Sequence, residues 1–427
     1  MKVHVEDISL IKKKIHVEIP EGRVTQEINS FYEDLRKKAR IKGFRPGKAP
    51  RNILERHFKE HVKGEVLQKL IQNSYPEVLS ETTLSPVSHP LFDPQELESG
   101  KPFRYSAIIE IKPEIQVEKY EGLTLEGKKE NVRNEEIEER LKGLQNLHAQ
   151  LRTIPEPRPV QTGDYVILDY QANMGGQPLK EGKGVDVTVE VGSGRFIPAL
   201  EEKLIGLKPE EESMFPISFP EDYGYKKWAG KTMEFQVKIK EIKEKILPPL
   251  DDEFAKDVGD YDSVEALKTK LRRDVEKEKE VGLDHQLRDQ IINHLLQGNS
   301  FETPPAMVEE QTQALVSEAK LRLASQGLAL TDVGVSEEKL REDYGETAQK
   351  QVKTFLILEK IATQEGITVT DEEVDGRLKE ISERGNQKFD LVKRYYERNG
   401  LIPEVKAKIL MDKTLSWLLE KSTITFV

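Results

Sequence analysis

Apolar and polar positions change their spacing several times along the chain. Over residues 2–8 and 11–19 they alternate, with Val3, Val5 and Ile8, then Ile11, Ile15, Val17 and Ile19, which is the period of half-exposed strands. Val24, Ile28, Phe31 and Leu35 then recur at helical spacing. A second helix is predicted from Pro50, a residue suited to a first turn, with Ile53, Leu54, Phe58, Val62, Val66 and Leu70 as its stripe. Strand spacing returns over Phe103–Ile111 and closes an α+β unit near residue 112. Residues 130–151 predict a short amphipathic helix carrying Ile137, Leu141, Leu144, Leu147 and Leu151 on one side. Three prolines in Thr153-Ile154-Pro155-Glu156-Pro157-Arg158-Pro159 stop it, since each removes a donor and fixes φ. From Gly163 to about Lys245 the texture is strands and glycine turns, with strands expected at Tyr165–Tyr170, Val185–Val191, Met214–Phe219 and Met233–Ile242. After Pro248-Pro249 the pattern is almost wholly helical: one long helix or two abutting ones through Leu267–Leu295, another from Pro304-Pro305, then segments over 336–365, 370–384, 388–398 and 402–421.

Composition sharpens this outline. A chain of 427 residues is a prior of about three domains. Charged residues make up 33% against 36% hydrophobic, where a quarter charged is usual. That balance implies a large surface for the core and favours an elongated, multi-lobed molecule. The absence of cysteine excludes a disulfide scaffold, a thiolate metal site and a cysteine nucleophile. No run of 18 apolar residues exists to span a membrane, and the first residues lack the apolar core of a signal peptide, so a cytoplasmic protein without membrane contact is expected. Charge is uneven. Residues 1–112 hold 20 Lys and Arg against 16 Asp and Glu, within a chain of net charge −11. Arg36, Lys37, Lys38, Arg40, Lys42, Arg45, Lys48 and Arg51 follow one another with no acid between them, which fits a polyanionic partner.

Familiar catalytic patterns are thin. His57-Phe58-Lys59-Glu60-His61 has the spacing of an inverted zincin motif, but no third ligand is identifiable and Phe58 serves the apolar stripe. Gly43-Phe44-Arg45-Pro46-Gly47-Lys48-Ala49 spaces its glycines too closely for a phosphate loop and puts Ala49 where a hydroxyl would hold magnesium. Gly192-Ser193-Gly194 lacks the third glycine of a dinucleotide fingerprint. Neither a metal nor a cofactor is expected. The Gly43–Lys48 loop reads better as a contact tip: two glycines and Pro46 make a tight turn that leaves Phe44, Arg45 and Lys48 little room to bury, so the cations attract and the ring supplies area.

Gly43-Phe44-Arg45-Pro46-Gly47-Lys48-Ala49-Pro50 resembles the ribosome-binding signature of the bacterial trigger factor family, and the resemblance runs the whole length of the chain. It implies four segments: a ribosome-binding α+β domain at 1–112, a helical linker arm at 113–150 that packs with the C-terminal region, a β-rich isomerase domain at 151–246, and a helical chaperone domain at 247–427. It also implies docking through Gly43, Phe44, Arg45, Pro46, Gly47 and Lys48 beside the exit tunnel of the large ribosomal subunit, on a ribosomal protein and nearby RNA. Nascent and unfolded polypeptides would be the clients, bound without ATP, and a weak homodimer would form off the ribosome.

The module at 163–245 is similar to the macrolide-binding (FKBP-type) prolyl isomerases in Gly163-Asp164-Tyr165-Val166, in Val191-Gly192-Ser193-Gly194-Arg195-Phe196-Ile197-Pro198 and in Phe219-Pro220-Glu221-Asp222-Tyr223-Gly224. Such chemistry needs no nucleophile. An apolar pocket lowers the barrier of about 18–20 kcal/mol for rotation about an X–Pro bond by desolvating the amide and binding its twisted form. By this resemblance Tyr170, Ile197, Phe219, Tyr223 and Phe235 line the pocket, and the Ile197 N–H anchors the substrate carbonyl. Leu179, Val187 and Leu200 stand where the family places aromatics, and Lys180 where an acid often follows, which implies a less aromatic pocket with weaker activity or shifted preferences.

In the helical remainder Met307, Leu315, Leu321, Leu323, Phe355, Leu356 and Leu358 are candidate client contacts, though the same positions suit an ordinary helix core. Two other functions fit parts of the pattern: a holding chaperone whose isomerase module has degenerated, or an RNA-binding protein using the 36–51 basic segment.

Overall fold

The computed structural model describes every residue except Lys42, Gly43, Arg45, Pro46, Pro157, Lys226 and Val427. The chain forms two compact units, one built from Met1–Lys128 with Leu283–Val427 and the other from Lys129–Gly282.

The first unit opens with strands β1 (Lys2–Asp7) and β2 (Lys12–Ile19), then helices α1 (Glu21–Lys38) and α2 (Arg51–Thr82), then β3 (Leu91–Pro94) and β4 (Phe103–Glu110). The strands form an antiparallel sheet in the order β1-β2-β4-β3, with Val3 opposite Val17 and Val5 opposite Ile15. Alternation decides which face is covered: Ile15, Val17 and Ile19 of β2 are buried together with Val24, Ile28 and Tyr32 of α1 and Leu54, Val62, Val66 and Leu70 of α2. Val24, Ile28, Leu54, Val62, Val66 and Leu70 of the predicted stripes are therefore core, and Phe31, Leu35 and Phe58 pack half-buried against it. A short strand β5 (Thr124–Gly127) follows.

The second unit contains α3 (Asn134–Leu147), β6 (Gln150–Thr153), β7 (Tyr165–Met174), β8 (Gln177–Glu190), α4 (Pro198–Leu204), β9 (Glu212–Ser218), β10 (Thr232–Ile246), α5 (Asp252–Val258) and the start of α6 (Val264–Gly298). Its sheet runs β6-β10-β7-β8, with β9 pairing along the same edge of β10 as β6, opposite β7, antiparallel throughout. Its core gathers Val166, Leu168, Leu200, Leu204, Phe235, Val237 and Ile239 between the sheet and α4. The helix predicted over 130–151 ends at Leu147, and Leu151 lies on β6 opposite Lys245. Strand β10 continues three residues beyond Lys243, its last residue paired with β7 (opposite Tyr165), and β6 satisfies those backbone groups. Leu147 is 81% exposed, so no apolar contact holds the helix past that point. Separately, α3, α5 and the first turns of α6 close a small core of Leu141, Phe254, Ala255 and Leu267, with the Asp251 carboxylate accepting the Phe254 N–H at 3.0 Å as an N-cap.

From Leu283 the chain returns to the first unit through the rest of α6, a single helix of 35 residues, followed by α7 (Pro305–Ser325), α8 (Glu337–Gln364), α9 (Asp371–Arg384), α10 (Phe389–Arg398) and α11 (Ile402–Glu420). Leu287, Ile291 and Leu295 of α6 pack with Val352, Leu356, Ile357 and Ile361 of α8, with Leu418 of α11, and with Ile115, Val117, Leu123 and Leu125 from the stretch before α3. A final strand, β11 (Thr423–Phe426), which helical periodicity did not predict, pairs in parallel with β5, Ile424 opposite Leu125. Helix α9 starts in a capping box: Thr370 Oγ1 accepts the Glu373 N–H, and the Glu373 carboxylate accepts the Thr370 N–H.

Candidate active site and docking loop

The five residues expected to line an isomerase pocket come from four places in the second unit. Tyr170 is on β7 and Phe235 on β10; Ile197 precedes α4; Phe219 and Tyr223 lie in the connection between β9 and β10. The structure brings them together. The rings of Phe219 and Tyr223 are 4.7 Å apart, Phe219 and Phe235 6.2 Å, and Tyr170 and Phe235 6.2 Å. Ile197, Phe219 and Phe235 are buried, while Tyr170 and Tyr223 are half-buried at the edge of the same cluster. Burial pushes the Tyr170 phenol up, so it stays protonated and neutral at physiological pH.

Two further rings complete the enclosure. Trp228 lies 5.2 Å from Phe219 and 6.0 Å from Phe235, and Phe196 meets Tyr170 edge-on at 5.3 Å. Neither position follows a strand or helix period, so spacing could not find them; the available signal was a tryptophan, one of two in the chain, set in a glycine-bounded loop. Leu179 and Val187 pack half-buried against the cluster and Leu200 is fully buried beneath it. Aliphatic side chains thus take positions the resemblance made aromatic, and Trp228 restores ring surface. Gly184 on β8 permits the closest approach: a Cβ there would lie 2.3 Å from Tyr170 Cε1 and 2.6 Å from Val187 Cγ2.

The loop carrying Tyr223 and Trp228 is tied to β8. Glu181 accepts the Tyr225 hydroxyl at 2.6 Å and the Lys227 ammonium at 2.7 and 2.9 Å. Lys227 and then Tyr225 hold the Glu181 carboxyl below its ordinary value. A second pair fixes the entrance to β7. Arg158 meets the buried Asp164 carboxylate through two hydrogen bonds of 2.7 and 2.8 Å, and the Gln161 N–H adds a third at 2.8 Å. What this arrangement can do chemically is bind an apolar side chain or ring, exclude water, and offer one backbone donor. Among the described residues its lining holds no hydroxyl or carboxylate paired with a base, and bond rotation needs no nucleophile.

Of the expected docking residues, Gly43, Arg45 and Pro46 lie outside the described residues. Phe44 is exposed, its N–H bonded to the Ile41 carbonyl at 3.1 Å, and Lys48 is exposed. Gly47 turns the chain at φ +82°, a conformation that favours glycine, and Ala49 is buried in the core of this unit. The apolar anchors Ile41 and Ala49 thus flank a tip that projects its ring and cation. His61, from the zincin-like pair, sits edge-on to Phe31 at 6.2 Å.

The candidate client positions divide. Leu356 and Leu358 are buried core; Met307, Leu315, Leu323 and Phe355 are half-buried; Leu321 is 71% exposed. The second unit has an open groove of about 710 Å³ between α3 and α6, floored by Leu144, Leu147, Leu271 and Val275, that periodicity alone did not separate from core.

Residues 1–144 match the family model "Bacterial trigger factor protein (TF)", residues 263–420 its C-terminal counterpart, and residues 156–240 the model "FKBP-type peptidyl-prolyl cis-trans isomerase". A protein named Trigger factor from Geotalea daltonii is 38% identical over 428 residues, covering 100% of this chain and 98% of that one. The chain belongs to the trigger factor family. Trigger factors of Geobacter sulfurreducens and Desulfosudis oleivorans are each 38% identical and cover 99% of the chain, with 98% and 96% of their own length matched. A solved structure described as "Promiscuous Substrate Recognition in Folding and Assembly Activities of the Trigger Factor Chaperone" shares the fold, with TM-score 0.52 at 22% identity over 98% of this chain and 99% of that one. Membership makes the chain a ribosome-associated chaperone of unfolded polypeptides that carries an FKBP-type prolyl isomerase domain. Among the described residues no helix is long and apolar enough to cross a membrane.

Proposed function

We propose that X–Pro bonds are isomerised in the enclosure formed by Tyr170, Ile197, Phe219, Tyr223 and Phe235, widened by Phe196 and Trp228. The observation that carries this reading is the set of rings packed 4.7–6.2 Å apart around Phe219 and Phe235, beside an Ile197 N–H that donates to no group among the described residues. The proline ring enters among the aromatics, and the Ile197 N–H donates a hydrogen bond to the substrate carbonyl as the amide twists. Loss of amide resonance localises the nitrogen lone pair, and a dry, apolar surround favours that less polar form over the planar one. Loss of ring surface is the test: Phe219→Leu lowers isomerisation of a short X–Pro peptide, and an unchanged rate in the folded variant overturns the assignment.

In the same reading the 43–48 loop docks on the large ribosomal subunit beside the exit tunnel, Phe44 against a ribosomal protein and Arg45 and Lys48 toward RNA phosphates. The protein works in the cytoplasm, holds nascent chains open for folding or export, and pairs weakly with a second copy off the ribosome. The exposed ring of Phe44 and the cationic stretch 36–51 support the docking assignment. Co-sedimentation with purified ribosomes at low and high salt tests it. Saturable, salt-sensitive binding is lost in a Phe44→Ala, Arg45→Ala, Lys48→Ala variant; a variant that pellets as well as the parent removes the loop as anchor.

A further inference from the structure

Glu201 on α4 is 1% exposed, yet no Lys or Arg pairs with it among the described residues. Its carboxylate faces the preceding loop instead. Oε2 accepts the N–H groups of Gly192 and Gly194, both at 2.9 Å, and Oε1 accepts that of Phe196 at 2.9 Å. Burying a carboxylate costs heavily unless its lone pairs are filled, and three charge-assisted bonds fill them here. The loop is shaped for this. Gly192 and Gly194 take φ +86° and +68°, and alternation of left-handed and ordinary residues turns every second N–H to one side. The intervening donors are used as well: Ser193 N–H bonds the Glu190 carbonyl at 3.3 Å and Arg195 N–H bonds Ser193 Oγ at 3.2 Å. All five amides from 192 to 196 are therefore committed, and Ile197 carries the next one, which has no partner among the described residues.

We propose that Glu201 is a positioning residue of the isomerase reaction. By gathering the 192, 194 and 196 amides it sets the Phe196 ring against Tyr170 and leaves the Ile197 N–H at a fixed place for the substrate carbonyl. This rests on the Ile197 anchor described above. Glu201 touches no substrate; it acts through the loop. Its neighbour Glu202 is exposed and has no such role.

Glu201→Gln in the full chain is the test, because it keeps the shape but replaces one acceptor oxygen with a donor that faces an N–H. Two readouts are taken below the melting temperature: hydrogen exchange of the 191–197 segment by mass spectrometry, and kcat and KM for an X–Pro peptide per folded molecule. Exchange in that segment rises, and kcat/KM falls by roughly ten-fold or more, the scale of one charge-assisted hydrogen bond, with KM raised. Suppression of client aggregation stays as in the parent, and Glu202→Gln changes neither readout. Faster exchange with catalysis untouched overturns both the positioning role and the Ile197 anchor. Exchange and catalysis both unchanged overturn the positioning role alone. Should the amide unfold the module, Glu201→Asp carries the same comparison, since it keeps the charge and shortens the reach by one methylene.

Discussion

Trp228 is one of two rings of the enclosure, with Phe196, that the expected lining did not include, and removing it separates packing from catalysis. Its ring meets Phe219 at 5.2 Å, Tyr225 at 5.4 Å and Phe235 at 6.0 Å. It is half-buried, so full burial costs for Trp→Ala, about 3–5 kcal/mol, are an upper bound. With three aromatic neighbours contributing about 0.5–1.5 kcal/mol each beyond area, the loss is on the order of 2–3 kcal/mol. A domain stable by about 5–15 kcal/mol survives that, so the variant stays folded at 25 °C. Catalysis is more sensitive. If the ring favours the twisted amide by only about 1–2 kcal/mol, kcat/KM falls roughly 5- to 30-fold. The assay is isomerisation of an X–Pro peptide by Trp228→Ala, with a circular-dichroism melt confirming the fold. Fluorescence gives a second handle. Trp417→Phe leaves Trp228 as the one tryptophan, and proline peptide then shifts its emission in step with saturation. A folded Trp228→Ala variant turning over within two-fold of the parent would refute the placement of Trp228 in the site.

Gly184→Ala drives a Cβ into the Tyr170 ring, which Phe196 and Phe235 prevent from yielding; the module is expected to lose about 1–3 kcal/mol and the isomerase most of its rate, read from the melt and the peptide assay. At the entrance to β7, burial alone would raise the Asp164 carboxyl, but the Arg158 hydrogen bonds and the Gln161 N–H outweigh it and hold the group below its ordinary 3.8. A depressed carboxylate stabilises above its unfolded value, so this contribution is complete at pH 7, starts to fade near pH 3.8 and is gone below the folded value. Asp164→Asn therefore lowers stability at pH 7 by about 2–3 kcal/mol and flattens the acid limb of a denaturation-versus-pH series; an acid limb identical to the parent's would assign that slope to other carboxylates.

The helices were legible because each spends its apolar residues on one face: the stripes Val24-Ile28 and Leu54-Val62-Val66-Leu70 are core as spaced. What escaped was pairing between distant segments. Strands β5 and β11 are four residues each and meet across almost three hundred residues of sequence, so neither carries a local signal. The same cause ended α3 early. Leu151 keeps helical register with Leu147 and Leu144, but the unpaired end of β10 claims residues 150–153, and hydrogen bonds to a strand prevail over the end of a stripe whose last residues have no core to enter.

The active site divides along the same line. Phe219, Tyr223 and Phe235 were found through resemblance of their surroundings, whereas Phe196 and Trp228 sit in loops where no period applies. Glu201 shows the limit most clearly. In the sequence it is one of two adjacent glutamates at the start of a short helix, a place where the dipole alone justifies acids. One step along a helix turns a side chain by 100°, and that rotation takes Glu201 out of water onto three loop amides while Glu202 remains in solvent. The distinction depends on where the glycine loop passes, and the loop passes there because Gly192 and Gly194 admit positive φ. A buried acid and two left-handed glycines are therefore one device: a loop without the carboxylate would have three amides to satisfy, and a carboxylate without the loop would have no partner.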